Sequence, residues 1–159
     1  VMNKAVFVPA LLAFLLLASS CQSGSSPLSP NSGEIVEADG LKMTVSSSGQ
    51  GTGGLTFLIE LKNGGSGTVS LEFSDGQAFD VAVANSRGVI VWTWSHDRAF
   101  PQFVWQLDLK PGDVDSRRAD WDLKANDGSQ LPPGVYKAKV WITSSPRDPA
   151  LSVEFSITI

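Results

Sequence analysis

Apolar and polar residues alternate with a period of two through most of this sequence, from Glu34 to its last residue. Between Val69 and Phe73, for example, three apolar residues alternate with Ser70 and Glu72. A period of two places successive side chains on opposite faces of an extended strand, whereas a helix needs a period near 3.6. The sequence therefore predicts about nine strands, over residues 41–45, 55–61, 69–73, 79–83, 90–94, 103–109, 119–123, 136–142 and 151–159.

Short turn signals separate these predicted strands, such as Ser-Asp-Gly at residues 74–76 and Asn-Ser-Arg-Gly at residues 85–88. Turns at this spacing are typical of antiparallel meanders. One apolar face per strand is what two packed antiparallel sheets require. We therefore predict an all-β fold, an antiparallel immunoglobulin-like β-sandwich of about eight to nine strands.

Three aromatic residues have predicted places in this sandwich. Trp92 and Trp94 are two residues apart, so they share one face of a strand, and we expect them to anchor the core. Tyr136 follows a turn at residues 132–134. This arrangement resembles the tyrosine corner of such sandwiches, in which the hydroxyl bonds back to a nearby backbone group.

Several short motifs carry a family resemblance over most of residues 55–145. They are SDGQAFD at residues 74–80, GVIVWTWS at residues 88–95, Phe100, LKPGD at residues 109–113, Trp121, PGVY at residues 133–136, and a strand ending at Asn63. Together they resemble the BsuPI type of intracellular proteinase inhibitor. The resemblance implies a β-sandwich of this kind and inhibition of a serine proteinase, and it brings no reactive site with it.

The first 21 residues are interpreted as an export signal. Lys4 is followed by a short apolar run at residues 5–18, which has the length of a signal peptide rather than of a membrane span. The run ends in LASSC, which resembles a bacterial lipobox, although the usual Leu is shifted to Leu17. We expect lipidation of Cys21; the alternative is an ordinary signal peptide with an incidental Cys.

Residues 22–33 are rich in Ser, Gly and Pro, so they are predicted to be a flexible linker spanning roughly 20 Å. The β-sandwich domain is predicted to occupy residues 34–159. The expected product is an exported lipoprotein anchored in a membrane. Gln22 stands where an Asp would favour the inner membrane, so the outer membrane is expected if the cell has two.

Composition argues against several functions. The net charge of -4 opposes nucleic-acid binding, which needs a basic face. One Cys and one His allow neither an internal disulfide nor a multi-histidine metal site. The aspartates at positions 108, 113, 115, 120 and 122 lack the spacing of a calcium loop and are interpreted as a solvated face. No cofactor or metal is predicted.

Two further patterns are interpreted as structural. The glycine-rich residues 49–54 precede a strand rather than a helix, so they are taken as a strand connection and not as a phosphate loop. His96 and Asp97 are adjacent in a loop without a nucleophile elbow, so they are taken as a polar turn. Accordingly, we do not expect the chain to be an enzyme.

Five residues are candidates for contact with a protein partner. Arg147 and Pro146 lie in a loop at residues 144–150, where Pro146 and Pro149 would preorganise the backbone. Arg98 and Arg117 lie in the segments 95–101 and 113–118, which are also read as loops. Trp141 shares the outer face of its strand with lysines, where it either contacts a partner or covers a neighbouring strand.

These features leave two functional hypotheses open. The first is a lipid-anchored, protein-binding module that inhibits a proteinase, with a serine proteinase as its partner. The second is a structural or assembly component of the bacterial envelope without inhibitory activity.

Overall fold

The computed structural model describes residues 31–49, 53–144 and 151–159. Within them the chain forms ten strands: β1 Asn31–Ala38, β2 Leu41–Gly49, β3 Leu55–Asn63, β4 Val69–Phe73, β5 Phe79–Ala84, β6 Ile90–Thr93, β7 Trp105–Leu109, β8 Val114–Trp121, β9 Val135–Ile142 and β10 Ser152–Thr158. These residues include no helix, and therefore no helix long and apolar enough to cross a membrane.

The strands form two four-stranded sheets and one two-stranded sheet. The first has the order β1-β2-β3-β8, the second β10-β9-β5-β6, and β4 pairs with β7. All pairings are antiparallel. Aromatic contacts join the two larger sheets, since Trp92 of β6 stacks on Trp121 of β8 with ring centroids 5.2 Å apart. The prediction of an all-β sandwich is confirmed.

The core lies between the sheets and is built from the apolar positions of the alternating pattern. In β3, for example, Phe57, Ile59 and Leu61 are at most 1% exposed, while Leu58 on the other face is 40% exposed. β5 is the most buried strand: its edges pair with β9 and β6, and its outer-face residues Asp80 and Ala82 are at most 8% exposed. Burial of such apolar side chains stabilises the fold by roughly 1.5–3 kcal/mol each.

The strand register defines two ends of the sandwich. Leu41 pairs with Asn63 and Lys62 with Val114, so the turns near residues 40, 64 and 112 gather at what we call the Asn63 end. At the opposite end Leu55 pairs with Trp121, and Phe79 pairs with Ile142. The turn at residues 74–78 and the loop at residues 94–104 gather there, and we call it the loop end.

The N-terminal strand β1 was not among the predicted strands. It begins at Asn31, three residues before the predicted domain start at Glu34, and Asn31 pairs with Ser47 towards the loop end of β2. Its Ser and Gly content resembles that of the preceding linker, so local composition hides a strand that forms by pairing with β2. The rest of the predicted linker lies outside the described residues.

Two strand boundaries differ from the predictions. β7 starts at Trp105 and not at residue 103. The alternation places Phe103 on the same inward face as Trp105, but Phe103 lies before the strand and is 51% exposed, so that expectation is wrong. Residues 114–118 belong to β8, so the segment 113–118 is a turn and the start of a strand rather than a loop. At β7 the apolar alternation begins before the sheet pairing does, whereas at β8 the pairing begins before the apolar alternation.

The other aromatic predictions hold in part. Trp92 and Trp94 do share the inner face of the sandwich, but both are only partly buried. The tyrosine corner is confirmed, since the Tyr136 hydroxyl donates to the carbonyl of Pro132 at 2.8 Å.

Candidate functional site

The β6–β7 loop, residues 94–104, is tied at its start by a buried carboxylate. Asp80 is 6% exposed and lies on β5, next to β6. Its Oδ2 accepts a hydrogen bond from the Ser95 hydroxyl at 2.6 Å, and its Oδ1 accepts from the Ser95 backbone at 3.1 Å. Hydrogen bonds to a charged group are among the stronger ones in proteins. Ser95, where the chain leaves β6, is therefore held in place by Asp80 of the neighbouring strand β5.

Aromatic stacking then fixes the first half of this loop. The half-buried ring of Trp94 lies 4.3 Å from Phe79 and 5.9 Å from Phe100, centroid to centroid. The Arg98 guanidinium carbon lies 4.3 Å from the Trp94 ring, and its Nε donates to the Trp94 carbonyl at 2.7 Å. The exposed Arg98 therefore keeps a defined orientation, because a cation over an indole face is attracted to it.

The turn at residues 74–78 holds the second half of the loop. The Gly76 amide donates to the Pro101 carbonyl at 2.8 Å. A Cβ at Gly76 would lie 2.9 Å from Cδ of Pro101, so only glycine fits there without displacement. The Trp105 indole donates to the Asp75 carbonyl at 2.6 Å and stacks on Phe73 at 4.3 Å. The loop is thus tied on both sides of residues 102–104.

Between these ties lies a segment that is not paired to the rest of the domain. Within the described part of the chain, the backbone groups of Gln102, Phe103 and Val104 take part in no hydrogen bond. The Gln102 side chain turns back to the Phe100 carbonyl at 3.3 Å. Phe103 is 51% exposed and Val104 69% exposed. Phe103 and Val104 are therefore exposed apolar residues whose backbone groups have no partner among the described residues, in a segment that is held at both ends.

The same turn also anchors the end of β9. Thr143 donates from its backbone to Ala78 at 3.1 Å and from its hydroxyl to Gln77. β9 therefore ends at the loop end of the sandwich. Residues 145–150, with the candidates Pro146 and Arg147, lie outside the described residues, as does Cys21.

Arg117 is placed differently from the other arginine candidates. It points inward from the edge strand β8, where its side chain is 28% exposed and forms a bidentate pair with Asp115 at 2.7 and 3.1 Å. Its guanidinium carbon also lies 5.9 Å from the Trp105 ring. Arg117 thus braces β8 against β7, and its charge is already matched.

Trp141 lies on the outer face of β9 with Lys137 and Lys139, as predicted, and is partly buried. Asp80 on β5 and Ser152 on β10 are its direct cross-strand neighbours. Directly opposed side chains on one face lie within contact range. This position suits a cover over the buried Asp80.

His96 and Asp97 form the polar turn that the sequence predicts. Their side chains approach to 3.2 Å, and the His96 amide donates to Thr93. His96 lines a cleft of about 530 Å³. Its indole rings already have partners within the protein, since Arg98 covers Trp94 and Trp92 stacks on Trp121. The cleft therefore presents polar edges rather than a bare aromatic platform.

The predicted solvated aspartates are dispersed and locally paired. Asp120 pairs with Arg118 at 2.8 Å and Asp122 with Lys124 at 2.9 Å. The hydrogen bond from Lys124 lowers the pKa of Asp122, and hydrogen bonds from Ser70 and Gln106 lower the pKa of Asp108. Across the described ranges, no group of three His, Cys, Asp or Glu side chains could hold a metal ion.

Phe103 and Val104 were missed as surface candidates. In the sequence, Phe103 alternates in step with Trp105 and Leu107, and this pattern predicts a core position for it. The available signal was Pro101. Proline cannot donate to a ladder and is confined to edges and strand starts, which places a boundary near residue 101.

Comparisons with known proteins bear on the whole domain. A family model described as "BsuPI: Intracellular proteinase inhibitor" matches residues 41–147. No curated protein matches the sequence.

Among solved structures, the chain is similar to a β-glucosidase of Erythrobacter marinus at 16% identity, covering 81% of this chain and 15% of that one, with a TM-score of 0.36. It is also similar to β-glucosidase 3B of Thermotoga neapolitana at 16% identity, covering 82% and 16%, with a TM-score of 0.37. Because the chain spans under a fifth of those proteins and the TM-scores are low, we infer nothing about this protein from them.

Proposed function

Because this chain belongs to the BsuPI family of intracellular proteinase inhibitors, we propose that it is a protein-binding module that inhibits a serine proteinase. It acts by occupying its partner with the loop end of the sandwich and performs no catalysis itself. Arg98 and Arg147 lie in the two loops proposed to meet that partner.

The observation that carries this proposal is the way the family's motif residues are used. Asp75 and Gly76 hold the end of the β6–β7 loop, and Asp80 holds its start. A loop that is rigid before binding loses less conformational entropy on association, which favours tight inhibition. Of the residues that carry the family likeness, these three thus support one loop, whereas others, such as Trp121 and Tyr136, lie in the core.

We further propose that the domain acts outside the cytoplasm as a lipoprotein anchored through Cys21. The family name refers to inhibitors inside cells, so the target of an exported member is a different, exported proteinase. An anchored inhibitor of this kind protects envelope proteins near the membrane. The support for this step is the sequence of residues 1–21 alone.

The test is inhibition by the purified full chain. We expect a stoichiometric complex with a serine proteinase on size-exclusion chromatography, and tight inhibition in a titration of active sites. The panel includes subtilisin-type, chymotrypsin-type and trypsin-type enzymes and exported proteinases of the source organism. Absence of both complex and inhibition across the panel contradicts the proposal and leaves the alternative, an assembly component of the envelope.

Arg98→Ala and Arg147→Ala report on the two proposed loops. Charges at the rim of an interface mainly change the association rate and its salt dependence. We expect slower association for both variants, with Lys62→Ala at the Asn63 end as the control that leaves the rate unchanged. An unchanged association rate for Arg147→Ala would mean that the loop at residues 144–150 does not meet the partner. The proposal for the β6–β7 loop would not be affected.

A further inference from the structure

We propose that residues 101–104 enter the substrate cleft of the proteinase as an extended strand, with Phe103 in an apolar specificity pocket. This inference rests on the proposed function and adds to it the binding segment and the class of enzyme. It assigns the partner to serine proteinases that select large apolar side chains.

The free backbone of this segment supports strand pairing with the enzyme. Proteins recognise extended peptides by adding them to an exposed strand edge, where main-chain hydrogen bonds give affinity. Gln102, Phe103 and Val104 offer N–H and C=O groups that no described residue occupies. The other exposed apolar residues differ in this respect, since Val135 pairs with Thr158 and Val89 is bonded to Asn85 through both backbone groups.

The frame around the segment also favours a fixed, extended shape. Pro101 fixes its own φ, and its carbonyl is held by the Gly76 amide. Trp105 is held by its indole hydrogen bond and by stacking on Phe73. With both flanks tied to one scaffold, the three residues between them cannot relax into the cleft as a flexible substrate would. This property separates an inhibitor from a peptide that is cleaved and released.

Phe103 is a better specificity residue than Arg98. The Arg98 guanidinium stacks on Trp94 and its Nε bonds to a backbone carbonyl, so insertion into a deep pocket would break both contacts. The side chain of Phe103 has no ring partner among the described residues and is half exposed. Insertion of Phe103 therefore removes apolar surface from water without breaking an aromatic stacking contact.

The experiment measures inhibition constants of the full chain and three variants against enzymes with apolar and with acidic pockets. Phe103→Ala should weaken inhibition of the apolar-pocket enzyme about thirtyfold or more, as expected for a central contact residue. Phe103→Arg should no longer inhibit the apolar-pocket enzyme. It should instead inhibit a trypsin-type enzyme, whose pocket carries a carboxylate. Val135→Ala, an equally exposed apolar residue at the Asn63 end, should change neither constant.

Hydrogen exchange gives a second readout. The amides of Phe103 and Val104 should exchange rapidly in the free protein and become protected in the complex, because the proposal pairs them with the enzyme. Thermal unfolding should differ little between Phe103→Ala and the wild type, since Phe103 is 51% exposed and stacks on no ring of the described residues.

The outcomes separate this inference from the function on which it rests. If the wild type inhibits an enzyme but Phe103→Ala inhibits it equally well, the segment is wrong and the inhibitor function stands. Unprotected amides at Phe103 and Val104 in a tight complex lead to the same conclusion. A wild type that inhibits no enzyme of the panel overturns both.

Discussion

The two ends of the sandwich are organised around one buried polar side chain each, and they use it differently. At the Asn63 end, Asn63 is fully buried; its Nδ2 donates to Gly67 and Leu109 at 2.7 and 2.8 Å, and its Oδ1 accepts from Gly65 at 2.9 Å. At the loop end, Asp80 accepts hydrogen bonds from the adjacent Val81 amide and from Ser95 at the start of the β6–β7 loop. The Asn63 side chain joins several turns to one another, whereas the Asp80 side chain holds the start of one loop.

Exposed apolar area alone does not show which end of the sandwich would bind a partner. The Asn63 end has exposed aliphatic residues too, since Val114 is 51% and Ile90 59% exposed. Both lie in strands whose backbone is paired. Single exposed apolar residues are common on soluble proteins. Only at Phe103 and Val104 do the described residues combine apolar exposure with an unpaired backbone.

The largest expected effect comes from Asn63→Ala, which tests whether the Asn63 end is purely structural. The change removes three side-chain hydrogen bonds and leaves buried backbone groups without partners. A loss of about 3–5 kcal/mol in the free energy of unfolding is expected, since each such group costs about 1–3 kcal/mol. Urea denaturation measures the loss. The inhibition constant of the folded fraction should not change; a weaker constant would mean that the two ends are coupled.

Asp80→Ala is the matched change at the loop end. It removes the bonds to Ser95, and we expect a smaller loss of about 1.5–3 kcal/mol, the range for hydrogen bonds to a charged group. Here inhibition should weaken as well, because the loop loses its fixed start. Ser95→Ala removes only the hydroxyl bond and serves as the milder control. Full inhibition by Asp80→Ala would show that the loop does not depend on this side chain.

The smallest effect is expected from Gly76→Ala. Its new methyl group meets Pro101, and overpacking of this kind costs about 1–2 kcal/mol. Because Pro101 borders the segment that we place in the enzyme, the inhibition constant should rise more than the stability change alone predicts. Gly67→Ala, which has open space at the Asn63 end, is the control. Equal inhibition by the two variants would argue against a brace at Gly76.

The sequence predicted the parts of the fold that depend on local periodicity. The inward faces of β2, β3, β9 and β10 and the corner at Tyr136 follow from alternation and turn chemistry. The prediction failed where pairing partners decide, as at the start of β7 and in β8. It also missed the two buried polar side chains, because Asn63 bonds to Leu109 and Asp80 to Ser95 across long sequence separations. Hydrogen bonds between residues so far apart in the chain produce no periodic pattern in the sequence.

The candidate site was harder to predict than the fold for the same reason. Arg98 was identified from its loop, but its contacts with Trp94 were not. Arg117 looked like a free charge because its neighbour Asp115 is two residues away and faces the same way in a strand. Phe103 looked like core. Whether a charge is matched or an aromatic is buried depends on packing partners, and these are set by tertiary structure.

If the chain is anchored through Cys21, as proposed, the position of the first strand decides which end of the domain lies near the membrane. β1 begins at Asn31, opposite Ser47, so the chain enters the sandwich nearer to the loop end than to the Asn63 end. With acyl chains on Cys21, residues 22–30 would reach at most roughly 30 Å when fully extended. The tether and the β6–β7 loop, which we propose to be inhibitory, would then leave from the same side, and the loop would face the lipid surface. A proteinase held at that surface could then meet Phe103 directly. A proteinase diffusing in bulk solution would first have to enter the space between the domain and the membrane.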